Sequence, residues 1–89
     1  MDIQVEEIEA SVFQVTVNEG DSESHHRVTV PEDLYQRLTD GKVTQAECVE
    51  AAFEFLLDRE SKESILSQFD LPVIGHYFPE FERKFKDYL

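Results

Sequence analysis

The sequence has no tryptophan, one cysteine, three glycines and three prolines, and its first 26 residues hold no lysine or arginine. Each scarcity removes a class of function. A single Cys48 forms no internal disulfide, and no cationic start leads into an apolar run of the signal-peptide kind, so the cytoplasm is the expected address. Gly20, Gly41 and Gly75 stand far apart, so no glycine-rich loop cradles a phosphate. The apolar runs are a few residues long, too short to cross a bilayer. The missing basic residues matter most, because an acidic surface repels nucleic-acid phosphate and anionic lipid.

What is present is acid. Twenty Asp and Glu against eight Lys and Arg give a net charge of −12 over 89 residues. Asp2, Glu6, Glu7, Glu9, Glu19, Asp21 and Glu23 put much of the excess near the start. The chain is still 40% hydrophobic, with seven Phe and three Tyr, enough for one compact core and too little for two domains. We read residues 1–89 as a single domain, with an acidic β-hairpin region over 1–30 and a helical region over 31–89.

Phe13, Val15 and Val17 alternate with Gln14 and Thr16, the period-two pattern of a half-buried strand. His26, Val28 and Val30 alternate with Arg27 and Thr29 in the same way. Between them NEGDSES, Asn18 to Ser24, reads as a long, mobile, acidic hairpin tip. Ile3, Val5 and Ile8 suggest an earlier extended piece continuing the first strand.

Pro31 followed by Glu32 and Asp33 opens a short helix that turns Leu34, Tyr35 and Leu38 inward and stops at Asp40-Gly41. Thr44 and Glu47 form a capping box for a second helix reaching about Glu60. Ser61 caps an expected third helix through Phe69, with Ile65, Leu66 and Phe69 on its apolar side. Val73 to Phe78 is an apolar turn or short helix. Pro79 begins or kinks a final helix ending near Tyr88, with Phe78, Phe81, Phe85 and Tyr88 on one face. Its Glu80–Lys84 and Glu82–Lys86 spacings suit favourable i, i+4 pairs. Arg83, Lys84 and Lys86 near its end complement the helix dipole.

In the second helix, 100° per residue places Glu47, Glu50, Glu54 and Asp58 on one stripe. Opposite lie Val49, Ala52, Phe53 and Leu56, flanked by Cys48, Phe55 and Leu57. So wide an apolar arc needs cover on two sides, from the other helices or from a second copy of the chain. The stripe is either a solvated face or a partner-binding surface.

No residue set carries a strong chemical signature. His25 and His26 point to opposite faces of a strand, which keeps them off a shared ion, and a site would need Glu23 or Asp21 as well. Cys48 on an apolar helical face suits packing, and His76 has no motif-placed Asn or Asp to orient it. We expect no catalytic, cofactor-binding or metal-binding residue.

The run Arg27 to Leu38 (RVTVPEDLYQRL), followed by Thr44 to Leu57 (TQAECVEAAFEFLL), resembles the ribbon-helix-helix family of small bacterial regulators and antitoxins over about a third of the chain. The resemblance implies a strand paired with its twin across a dimer, with Arg27 and Thr29 facing the DNA major groove and Thr44 near phosphate. The residues themselves imply an α+β domain, an N-terminal β-hairpin packed on three to four helices with the second helix central. The acidic balance favours a non-enzymatic interaction or accessory protein of the bacterial cytoplasm, turning carboxylates toward a basic protein surface. A DNA-binding regulator or antitoxin is the alternative.

Overall fold

The alternation that suggests one hairpin produces three antiparallel strands in the computed structural model, which describes residues 1–89: β1 (Asp2–Glu9), β2 (Val12–Glu19) and β3 (Ser22–Thr29). Ile3 and Val5 stand opposite Val17 and Val15, so the first extended piece is a strand of its own and not a continuation of β2. A bulge between Glu7 and Glu9 and a turn at Ala10-Ser11, with Ser11 at φ 60°, reverse the chain between them.

The expected long mobile tip is a two-residue turn. Asn18 pairs with Glu23 and Glu19 with Ser22, leaving Gly20 and Asp21 between the strands. Gly20, at φ 62°, supplies the positive φ that a tight turn needs without a Cβ penalty. The turn-forming composition of NEGDSES is thus outweighed by a ladder that continues wherever polar side chains face solvent.

The third predicted helix is absent, which corrects the fold read from the sequence. Lys62–Ser64 is one 3-10 turn, and Gln68–Asp70 forms β4, parallel to β3, with Val28 opposite Phe69. The N-terminal unit is therefore a four-stranded sheet ordered β1-β2-β3-β4 and not a hairpin, and it draws a strand from the C-terminal region. Ile65, Leu66 and Phe69 fit helical spacing, but Phe69 and Leu71 also fit period two. The open edge of β3 decides the matter by offering a ladder.

One face of the sheet carries Phe13, Val15, Val17 and Val28, all buried, with Val30 buried just past the end of β3. Against it lie α1 (Glu32–Thr39), α2 (Gln45–Leu57), α3 (Val73–Tyr77) and α4 (Phe81–Lys84), with a 3-10 turn over Phe85–Tyr88. The class is α+β. Helix α1 buries Leu34, Tyr35 and Leu38, and it ends as expected at Asp40 and Gly41, both at positive φ. The capping box of α2 is formed: the Glu47 N–H donates to Thr44 Oγ1 at 3.1 Å and the Thr44 N–H to Glu47 Oε1 at 2.9 Å. A box of this kind stabilises a helix start by about 1 kcal/mol.

The wide apolar arc of α2 is covered on two sides within one chain. Phe53 meets His26 and Phe69 of the sheet, with ring centroids 5.3 and 6.1 Å away. Phe55 meets Phe78, Phe81 and Tyr88 at 5.9, 5.0 and 5.7 Å, and the Arg59 guanidinium lies 3.7 Å above its ring. Burial of a Phe side chain contributes roughly 1.5–3 kcal/mol, and edge-on ring pairs add to that. The C-terminal aromatic stripe therefore docks on α2, although as two short pieces and not as one helix.

Candidate functional site: the carboxylate faces

Glu47, Glu50, Glu54 and Asp58 are all exposed along α2, as their spacing implies. Two have structural duties. Glu47 closes the capping box, and the Thr44 backbone N–H, with the Thr44 side chain second, holds its carboxyl below the usual range. Asp58 accepts a hydrogen bond from the Tyr88 hydroxyl at 2.7 Å. Glu50 and Glu54 have no cationic partner. Partial desolvation, then the neighbouring charges of Glu50 and Asp58, push the Glu54 carboxyl up from its ordinary value. That is the mark of like charges crowded along one helix face.

The sheet supplies a second acidic surface. Because the helices cover the face bearing Phe13, Val15 and Val17, strand alternation turns Gln4 and Glu6 of β1, Thr16 of β2 and Glu23, His25 and Arg27 of β3 to the other side. No helix lies over them. Helix α2 packs beside β1, and Glu54 and Asp58 share an open groove with Ile3, Leu57 and Asp87.

Elsewhere the carboxylates are taken up by the fold. Arg59 bridges Glu80 at 3.1 Å and Tyr88 Oη at 3.2 Å, and Arg37 holds Glu82 at 2.9 Å. The hydrogen bonds from these arginines hold both carboxyls below the usual range, with the backbone contributing most for Glu80. The i, i+4 partners expected for Glu80 and Glu82 on their own helix are thus replaced by arginines from α1 and the end of α2. The Lys62 ammonium is buried and is bonded to Ser22 Oγ and Glu63, with Glu19 4.0 Å away. It ties the turn between β2 and β3 to the 3-10 segment, and nothing in the polar run around it marks that role in advance.

The histidines do face opposite ways. His25 is exposed beside Glu23 at 3.0 Å, whereas His26 is buried. His26 Nδ1 lies 2.8 Å from the Leu66 carbonyl, which only a donor can satisfy, and Nε2 lies 2.8 Å from Ser24 Oγ, from which it accepts in the neutral ring that burial favours. Burial pulls its pKa down, the Leu66 carbonyl opposes this in part, and His25 adds to the lowering. Cys48 is buried, its thiol pushed up to about 11 by desolvation, and His76 is exposed. A thiol so placed is not a thiolate nucleophile at neutral pH. No group of three His, Cys, Asp or Glu is arranged to hold a metal ion.

Of the residues singled out for DNA contact, Arg27 and Thr44 are engaged within the chain through their side chains and Thr29 through its backbone. Arg27 and Thr29 lie on the open face of β3, a strand hydrogen-bonded to β2 on one edge and β4 on the other. Arg27 pairs with Glu9 at 2.5 Å, and the Thr29 carbonyl accepts from the Leu71 N–H at 2.9 Å. Thr44 caps α2. Pairing β3 with a twin would require one of its two ladders to open. No helix is long and apolar enough to cross a membrane. No protein-family model, curated protein or solved structure matches this chain.

Proposed function

We propose that this protein is a non-enzymatic interaction or accessory module that binds a basic surface of a partner protein through its carboxylate faces. The observation that carries the reading is that Glu50 and Glu54 lie one turn apart on the exposed side of α2 with no cationic partner and no side-chain hydrogen bond, whereas Glu47 caps the helix and Asp58 accepts from Tyr88. Along α2 these charges repel at i, i+4 by a few tenths of a kcal/mol per pair, so they bring the fold nothing. A cationic partner would relieve that repulsion, and the field of a −12 chain would speed encounter in a salt-sensitive way.

Affinity capture from the source cell tests the reading, with the wild type compared against the charge-reversed variant Glu50→Lys/Glu54→Lys. The wild type should retain a basic protein that elutes as salt is raised, and the variant should not. Capture that ignores the reversal would overturn the proposal. So would tight binding to duplex DNA at moderate salt with a steep salt slope, which is the behaviour of the regulator alternative.

A further inference from the structure

The far margin of the sheet differs from the β1 side in its chemistry. Strand β4 is the last in the sheet order and has a partner on one edge only. The Ser67 carbonyl accepts from the Arg27 N–H at 2.8 Å and the Leu71 N–H donates to Thr29 at 2.9 Å, so these residues face β3. Alternation then turns the backbone N–H and C=O of Gln68 and Asp70 outward, ready to pair with another extended chain.

Beside that edge, on the helix side, is an apolar groove of about 150 Å³. Leu56, Ile65, Leu66, Phe69, Ile74 and Tyr77 line it. Phe69 fixes its side of the sheet, because the same ring packs on Phe53 of α2. Leu66 is 47% and Tyr77 67% exposed, two of the five large apolar side chains left in water. An apolar cavity of this size accepts a benzene-sized group. The one carboxylate in the groove is Glu60, which has no ion pair, and partial desolvation pushes its carboxyl up from the ordinary value. Asp70, on the opposite face of β4, has no cationic partner either.

We infer that this margin receives an extended segment of a partner protein in which aliphatic or aromatic residues alternate with Lys or Arg. The segment's main chain adds a fifth strand at Gln68 and Asp70. Its apolar side chains enter the groove. Its basic side chains point to the other face and meet Asp70, and one just beyond the paired stretch, at the groove's rim, meets Glu60. The charge of the whole chain selects for such a segment and against a second copy of this protein, which would bring a further −12. The site lies on a different surface from the α2 stripe and does not depend on it.

Selection of a random heptapeptide phage library on the full-length protein tests the inference, followed by fluorescence anisotropy with the enriched peptide. The expected consensus alternates apolar with basic residues. Leu66→Glu should weaken the peptide at least about tenfold, Tyr77→Ala and Glu60→Gln about three- to tenfold, and Glu50→Gln/Glu54→Gln less than about twofold. Leu66 and Tyr77 are exposed, and unchanged circular dichroism of their variants confirms folding. Failure to enrich any consensus would overturn the inference. So would a wholly basic consensus that binds Leu66→Glu normally and is lost in Glu50→Gln/Glu54→Gln, an outcome that would favour the stripe instead. A concentration-dependent dimer blocked by Leu66→Glu would also overturn it, in favour of self-association.

Discussion

The two flanks of this small fold treat the same functional group in opposite ways. On the C-terminal flank, Glu80 and Glu82 are bound by Arg59 and Arg37, so each carboxylate fastens one segment to another. On the α2 flank, Glu50 and Glu54 repeat at helical spacing, face water and hold nothing. Charge is structural where a long cationic side chain from a distant segment reaches it. Glu50 and Glu54, which no cation reaches and which hydrogen-bond to nothing, are surplus to the fold. Net charge alone hides that distinction, since both flanks contribute to −12.

The contrast can be broken most strongly at the ring that joins the flanks. Phe55→Ala removes the surface on which Phe78, Phe81, Tyr88 and Arg59 converge. It should cost about 3–5 kcal/mol in urea unfolding. A loss below about 1 kcal/mol would mean that the C-terminal pieces are not docked as described.

Acid should act next, through His26. Its folded pKa is lowered from 6.5, so the unfolded chain binds the proton more tightly. Stability is full above about 6.5 and falls as the pH drops from there through the lower folded value. The urea midpoint followed from pH 8 to 5 should show that decline, and His26→Gln, already less stable at neutral pH, should show less of it. Followed by NMR, the His26 ring should protonate below the ordinary histidine value.

Smaller effects sharpen the boundary between the flanks. Tyr88→Phe removes the hydroxyl that donates to Asp58 and accepts from Arg59, and should cost roughly 0.5–1.5 kcal/mol. Glu54→Gln should raise stability by a few tenths of a kcal/mol, because it removes two like-charge neighbours and a partly desolvated carboxylate. A shift of opposite sign in the urea midpoint would show that Glu54 has a partner in solution.

Features governed by neighbours a few residues apart were legible in the sequence. The Phe13, Val15, Val17 alternation, the Thr44 and Glu47 capping box, the stop at Asp40-Gly41 and the exposed stripe from Glu47 to Asp58 are all local. What escaped depends on distant partners. Three residues, Gln68 to Asp70, are too few to show a period, and the edge that makes them a strand belongs to β3, about 40 residues earlier. Glu80 and Glu82 have lysines at i, i+4 spacing in the sequence, yet they pair with Arg59, just past α2, and Arg37 of α1. The groove beside β4 gathers side chains from α2, the 3-10 segment, β4 and α3, and no single window of sequence contains it.

Glu50 and Glu54 are thus surplus to the fold, while Glu80 and Glu82 are part of it. Urea unfolding of two double variants, Glu50→Gln/Glu54→Gln and Glu80→Gln/Glu82→Gln, tests this division directly, since each removes two negative charges. An unchanged or higher midpoint is expected for the first and a lower midpoint for the second. A lower midpoint for the first, or equal shifts for both, would contradict it.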